Sequence, residues 1–146
     1  MSVVTFCGHG DFYGDEDVKR WLCETVEDLI RRGADDFLLG GYGGFDACAA
    51  TAVWNLKKQY PRIRSTLVLP YLDRKVDAAK YDCTTYPPLE KVPKRYAISK
   101  RNEWMVNEAD VVVAYVTHEW GGAATTLAYA RRKKKEILNY AGTSAD

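Results

Sequence analysis

Three features of the chain predict one α/β domain over residues 1–146, with helices on both faces of a central parallel sheet of about five strands. Short apolar runs without polar alternation recur along it, as strands covered on both faces require. Most are followed by glycines, then by a stretch with helical spacing of its apolar residues. Repetition of strand, glycine turn and helix at short intervals is the pattern of a parallel sheet in three layers.

Val3 to Cys7 is the first such run, and Gly8-His9-Gly10 turns the chain after it. Asp15 is placed to cap a helix in which Val18, Trp21, Leu22, Val26, Leu29 and Ile30 form one apolar stripe, with Gly33 as terminator. Phe37 to Leu39 is a second strand, leading into Gly40-Gly41-Tyr42-Gly43-Gly44. Four glycines in five residues are costly in backbone entropy, so the turn needs a reason such as close approach to a ligand. The alanine-rich stretch from Phe45 to Tyr60 reads as a helix lying close on the sheet and closed by Pro61. Thr66 to Leu69 is a third strand.

Between Tyr71 and Lys94 periodicity is lost among prolines and charges, which predicts a long functional loop or lid. Helical spacing resumes from Arg95 to Ala109, with Ile98, Met105 and Ala109 on one side. Asp110 to Val116 is the most apolar strand and should be central; Gly121-Gly122 then opens a helix running to about Lys134. Ile137 to Tyr140 is the fifth strand.

Composition narrows the function. With 146 residues, 47% hydrophobic and 28% charged, the chain has the balance of a globular domain, and a net charge of +1 gives no global attraction to nucleic acid or an anionic membrane. No apolar run reaches the length of a membrane span and the start lacks signal-peptide character, so a cytoplasmic protein is expected. Cys7, Cys23, Cys48 and Cys83 lack zinc-ligand spacing; the first three are expected as buried apolar residues, and no metal or cofactor is expected.

Three glycine-bearing loops, at Gly8, Gly40 and Gly121, follow strands and should converge at the carboxyl end of the sheet, where such folds bind ligands. The start of the helix after Gly121-Gly122 has free N–H groups suited to an anion. Neither the dinucleotide fingerprint nor the Walker-type phosphate loop is present. Instead Arg101, Met105, Ala109-Asp110, an apolar strand and Gly121-Gly122 with Thr125, together with the earlier G-G-Y-G-G-F-D, resemble the SLOG superfamily. That group joins Lonely-Guy-type nucleotide phosphoribohydrolases to related nucleotide-sensing domains. The resemblance spans most of the chain apart from residues 71–94 and is strongest to small bacterial and phage-type members with a Gly-His near the N-terminus. It implies a Rossmann-like fold.

The hydrolase pattern P-G-G-x-G-T-x-x-E is only half kept: Trp120 stands for its proline, Ala124 for its third glycine and Ala128 for its glutamate. About four extra residues, carrying His118 and Glu119, separate strand and glycines. In the hydrolases that glutamate and the arginine are associated with cleavage of the N-glycosidic bond, whose transition state favours a carboxylate.

The resemblance therefore implies binding of a nucleotide or nucleotide-derived molecule, in a sensing or regulatory role. Gly8, His9, Gly40, Gly41, Tyr42, Gly43, Asp46, Arg101, Gly121, Gly122 and Thr125 are the expected ligand-binding residues. Each also has a plainer reading: Asp46 as a helix cap, Arg101 as a solvated charge, Tyr42, Tyr71 and Trp120 as packing rather than base-stacking residues. Two alternatives are carried beside this one. The first is a nucleotide N-glycosidic hydrolase or transferase with Arg101 and Glu119 (or Glu103) as catalytic groups, and the second an interaction module with a vestigial pocket. Partners are expected to be a nucleotide-like small molecule, not nucleic acid or membrane, with a homo-oligomer left open.

Overall fold

The computed structural model describes residues 2–72 and 77–140. Six parallel strands form one sheet, β1 (Ser2–Gly8), β2 (Ala34–Leu39), β3 (Arg64–Val68), β4 (Cys83–Thr85), β5 (Val111–Tyr115) and β6 (Glu136–Asn139), in the order β4-β3-β2-β1-β5-β6. The helices are α1 (Glu16–Arg31), α2 (Gly44–Leu56), α3 (Ala97–Glu108) and α4 (Gly122–Arg132). This is the expected Rossmann-like α/β fold with six strands instead of about five. The additional strand is β4, inside the segment expected to be a loop. Its three residues pair with Thr66, Leu67 and Val68 at the sheet edge, and a single edge pairing leaves no apolar pattern to read.

The apolar runs form the interior because each strand residue packs to one face or the other. In β5, Val111 and Val113 join the core under α1 and α2 with Phe6, Leu22, Phe37 and Phe45, while Val112 and Ala114 pack with Cys7, Val106, Leu127 and Ala130 on the opposite side. The α1 stripe is buried at Val18, Leu22, Val26, Leu29 and Ile30, and Asp15 Oδ1 accepts from the Asp17 and Val18 N–H groups at 2.8 and 3.4 Å, capping the helix as expected. Cys7 is buried, but Cys48 is only partly buried and Cys23 is exposed on α1; both thiols lie outside the core that the sequence reading assigned them.

Within 71–94, residues 73–76 lie outside the described set. Much of the remainder is tied to the sheet: Leu69 N–H donates to Thr85 O at 2.8 Å, Asp82 N–H to Ser65 O at 2.9 Å, and Leu89 is buried. No helix among the described residues is long and apolar enough to cross a membrane.

Candidate functional site

Strand order reverses between β1 and β5, since β1 is followed in sequence by β2 on one side while β5 flanks it on the other. At a reversal the connections diverge to opposite faces and leave a crevice at the carboxyl ends of the strands. Here a crevice of about 260 Å³ is lined by Phe6, Cys7 and Gly8 from β1, Gly10, Tyr42, Asp46 of α2, Ile98, Arg101, Asn102 and Met105 of α3, and Gly122, Ala123 and Thr126 of α4. Its floor is apolar, and its polar groups come from three helices.

Two of those helices begin with the same device. Gly43 precedes α2 with φ 93°, ψ 174°, and Gly121 precedes α4 with φ 93°, ψ 173°; neither helix has a side-chain cap. The left-handed φ explains a glycine at both. Their surroundings differ. A Cβ on Gly43 would lie 2.6 Å from the Gly10 Cα, one on Gly44 would overlap the Phe12 carbonyl oxygen, and Gly44 N–H donates to Gly10 O at 3.0 Å. The β1–α1 loop therefore covers the α2 start. At Gly121 and Gly122 an added Cβ would meet nothing within 4 Å, so the first turn of α4 is open.

Arg101, expected on a solvated face or at a phosphate, is 2% exposed. Its Nη1 donates to Gly40 O at 2.9 Å and Val68 O at 2.8 Å, and its Nε to Asn102 Oδ1 at 2.9 Å. One cation thus ties the ends of β2 and β3 to α3. Burial lowers its affinity for a proton, while Asp46 and Tyr71 act the other way. Asp46, in the first turn of α2, accepts from the Tyr42 N–H at 3.4 Å. Desolvation raises its pKa to about 6 against the opposing pull of Arg101 and that backbone bond. A carboxylate has more acceptor sites than this one bond uses. Asp46 is the one carboxylate among the residues lining the crevice.

The remaining expected residues are spread around this centre. Gly8 lines the crevice, and a Cβ there would overlap the Phe45 ring. A Cβ on Gly40 would meet Asp46 and Arg101, and one on Gly41, whose φ is 67°, would lie 2.6 Å from Leu67 Cδ1. Thr125 is exposed and its hydroxyl donates to Gly121 O at 3.1 Å; the neighbouring Thr126, whose hydroxyl donates to Gly122 O at 2.9 Å, lines the crevice. Glu119 is exposed, Glu103 pairs with Lys100 at 3.3 Å, and neither lines the crevice. Phe6, Ile98 and Asn102 were missed because nothing in their local sequence distinguishes a crevice wall from ordinary packing.

His9 is buried beside the crevice. Its Nε2 accepts from the Thr117 N–H at 2.9 Å, and its ring stacks on His118 with centroids 3.8 Å apart. Burial first, then the nearby His118, hold its pKa below the usual histidine value, consistent with an unprotonated Nε2 acting as acceptor. Among the described residues no three His, Cys, Asp or Glu side chains converge as metal ligands.

The profile of the YspA SLOG family matches residues 14–144, which take in β2 to β6 and all four helices and leave out β1. The chain belongs to this SLOG family. Among its relatives are UPF0398 proteins of Bacillus thuringiensis (strain Al Hakam) and Bacillus cereus (strain AH187), each 23% identical over 164 residues, covering 96% of this chain and 88% of the relative. Two solved structures share this α/β fold. DNA processing protein A from Helicobacter pylori, described with a single-stranded DNA binding mode, superposes with TM-score 0.67 at 17% identity over 94% of this chain and 64% of its own. The molybdenum cofactor carrier protein of Chlamydomonas reinhardtii does so with TM-score 0.62 at 17% identity over 95% and 76%. At these identities the structural likeness shows the fold alone.

Proposed function

We propose that the crevice at the β1–β5 reversal binds a nucleotide-derived small molecule, with its anionic group at the open first turn of α4 and its hydroxyl groups toward Asp46, Asn102 and Thr126. The carrying observation is the convergence of an uncapped, unobstructed helix start and a desolvated carboxylate on one crevice. Free N–H groups and the helix dipole favour an anion. A carboxylate with spare acceptor sites favours hydroxyl or amino donors. Arg101 contributes positive potential and holds Gly40, in the turn that leads into α2 and Asp46, its Nη1 being committed to carbonyls. The crevice is small and the chain carries a net charge of +1, which supports a small ligand over a nucleic-acid strand.

A thermal-shift survey of nucleoside mono-, di- and cyclic phosphates tests this. A ligand present at a hundred times its dissociation constant adds about 2.7 kcal/mol, and Gly122→Val, which fills the open turn, removes the shift while the apo protein stays folded. Absence of any shift across the survey returns the protein to the interaction-module reading.

A second reading, N-glycosidic cleavage, has one observation in its favour. Asp46, with a pKa of about 6, is tuned near the range in which a carboxylic acid can donate a proton to a leaving group. Release of free base from a nucleoside monophosphate, abolished by Asp46→Asn, establishes it.

A further inference from the structure

The crevice measures about 260 Å³, below the roughly 300–1,000 Å³ of sites that enclose a drug-sized ligand. A nucleotide whose phosphate and sugar occupied it would extend over the rim. Two residues before Gly122, which lines the crevice, stands Trp120, 71% exposed. One face of its indole is stacked on His118, with centroids 3.8 Å apart and planes within 18°, and His118 is stacked in turn on His9 at 3.8 Å and 11°. The outer indole face is open to solvent.

The arrangement is built to hold its shape. His9 is 7% exposed, accepts a hydrogen bond from the backbone N–H of Thr117, and meets the Tyr115 ring edge-on at 6.0 Å. It sits between Gly8 and Gly10, both lining the crevice, while Trp120 lies two positions before Gly122 on the opposite wall. The column therefore bridges the β1–α1 and β5–α4 connections across the strand reversal. His118 has its Nδ1 enclosed without a protein hydrogen-bond partner, an unfavourable state. Simple burial of an apolar ring does not account for a tryptophan left mostly exposed on top of this column, whereas a rigid, backed indole face is what a planar heteroaromatic ring stacks on.

We propose that the outer face of Trp120 is the platform for the ring of the ligand, a nucleobase or similar planar heterocycle, with His118 and His9 as its backing. This rests on the nucleotide-binding reading above for the position of the anionic group, but the platform itself is tested independently.

Calorimetric titrations use AMP, GMP and ribose 5-phosphate against the wild-type protein, Trp120→Ala and Trp120→Phe. Spectra follow the Trp120 indole N–H signal, assigned by its loss in Trp120→Phe, on adding adenosine or guanosine. The expected result is AMP or GMP binding weakened about tenfold or more in Trp120→Ala, largely kept in Trp120→Phe, with ribose 5-phosphate unchanged in all three. His118→Ala should weaken the same nucleotide, because the indole loses its backing. If ribose 5-phosphate fails to bind but a nucleoside shifts the Trp120 signal, the platform stands and the phosphate position is wrong. Equal nucleotide affinity in wild type and Trp120→Ala overturns the platform and leaves the crevice reading intact. A Trp120 signal unmoved by both nucleosides and both nucleotides also overturns it.

Discussion

The α2 and α4 helices open with the same glycine pair, the same left-handed cap and the same lack of a capping side chain, yet only one start faces open space. At α2 the glycines let Gly10 and Phe12 pass over the helix start, and the Gly44 N–H is already bonded to Gly10 O. At α4 no other segment among the described residues comes within 4 Å of where a side chain would begin. Backbone conformation alone therefore does not distinguish a covered helix start from an open one. What distinguishes them is whether another segment of the chain occupies the space that glycine leaves.

The largest test breaks the closed start. Gly44→Ala drives a Cβ into the Phe12 carbonyl, backbone against backbone, and should cost about 3 kcal/mol or more, read as a large drop in Tm. A near-native Tm would mean the β1–α1 loop moves aside readily and the two starts are alike.

Arg101→Met removes the cation that ties Gly40 and Val68 to α3 and leaves two carbonyl oxygens without that donor. The expected loss is about 2–3 kcal/mol by denaturant titration. A neutral result would return Arg101 to the role of a ligand contact.

Asp46 sharpens the closed side through pH. Its folded pKa of about 6 lies above the ordinary 3.8, so the folded state holds this proton more tightly than the unfolded chain. Asp46 therefore makes the protein less stable as pH rises from about 4 to about 6, with the effect complete above 6. The stability advantage of Asp46→Asn over wild type should grow by about 2 kcal/mol across that window. A constant difference between the two proteins from pH 4 to 7.5 would show that the carboxyl is solvated.

The open start gives the smallest effects. Gly121→Ala costs only the strain of an alanine at φ 93°, ψ 173°, about 1–3 kcal/mol, with no clash. Gly122→Ala, at an ordinary φ with nothing nearby, should be neutral or stabilising by about 0.5 kcal/mol. Thermal melts of both variants beside Gly43→Ala measure the asymmetry directly, and equal losses at Gly43 and Gly121 would erase it.

The same contrast explains what could be read in the chain. The five expected strands were legible because Val3–Cys7, Phe37–Leu39, Thr66–Leu69, the Val111–Tyr115 core and the Ile137-Leu138 pair are largely apolar, and the α1 stripe is buried at every expected position except Trp21, which is partly buried. β4 was not, since Cys83-Thr84-Thr85 is a sheet edge three residues long among prolines. The density of glycines from Gly40 to Gly44 pointed to close approach, which is present, but the approaching groups are Leu67, Arg101, Gly10 and Phe12 of the chain itself. The pairing of His9 with His118 joins loops 109 positions apart, beyond the reach of any local pattern.

The central position of β1 also sets a timetable. Its partner β2 follows at once in the chain, but β5 does not: Val3 N–H donates to Asp110 across 107 positions of sequence. At ribosomal rates of about 5–20 residues per second, β1 waits about 5–20 s with one edge unpaired, while β2 and β3 can already be assembled on the other. The crevice, which needs both β1 and the start of α4, is among the last features to exist, so a nascent chain stalled before β5 would be half a sheet with an adhesive edge and no crevice.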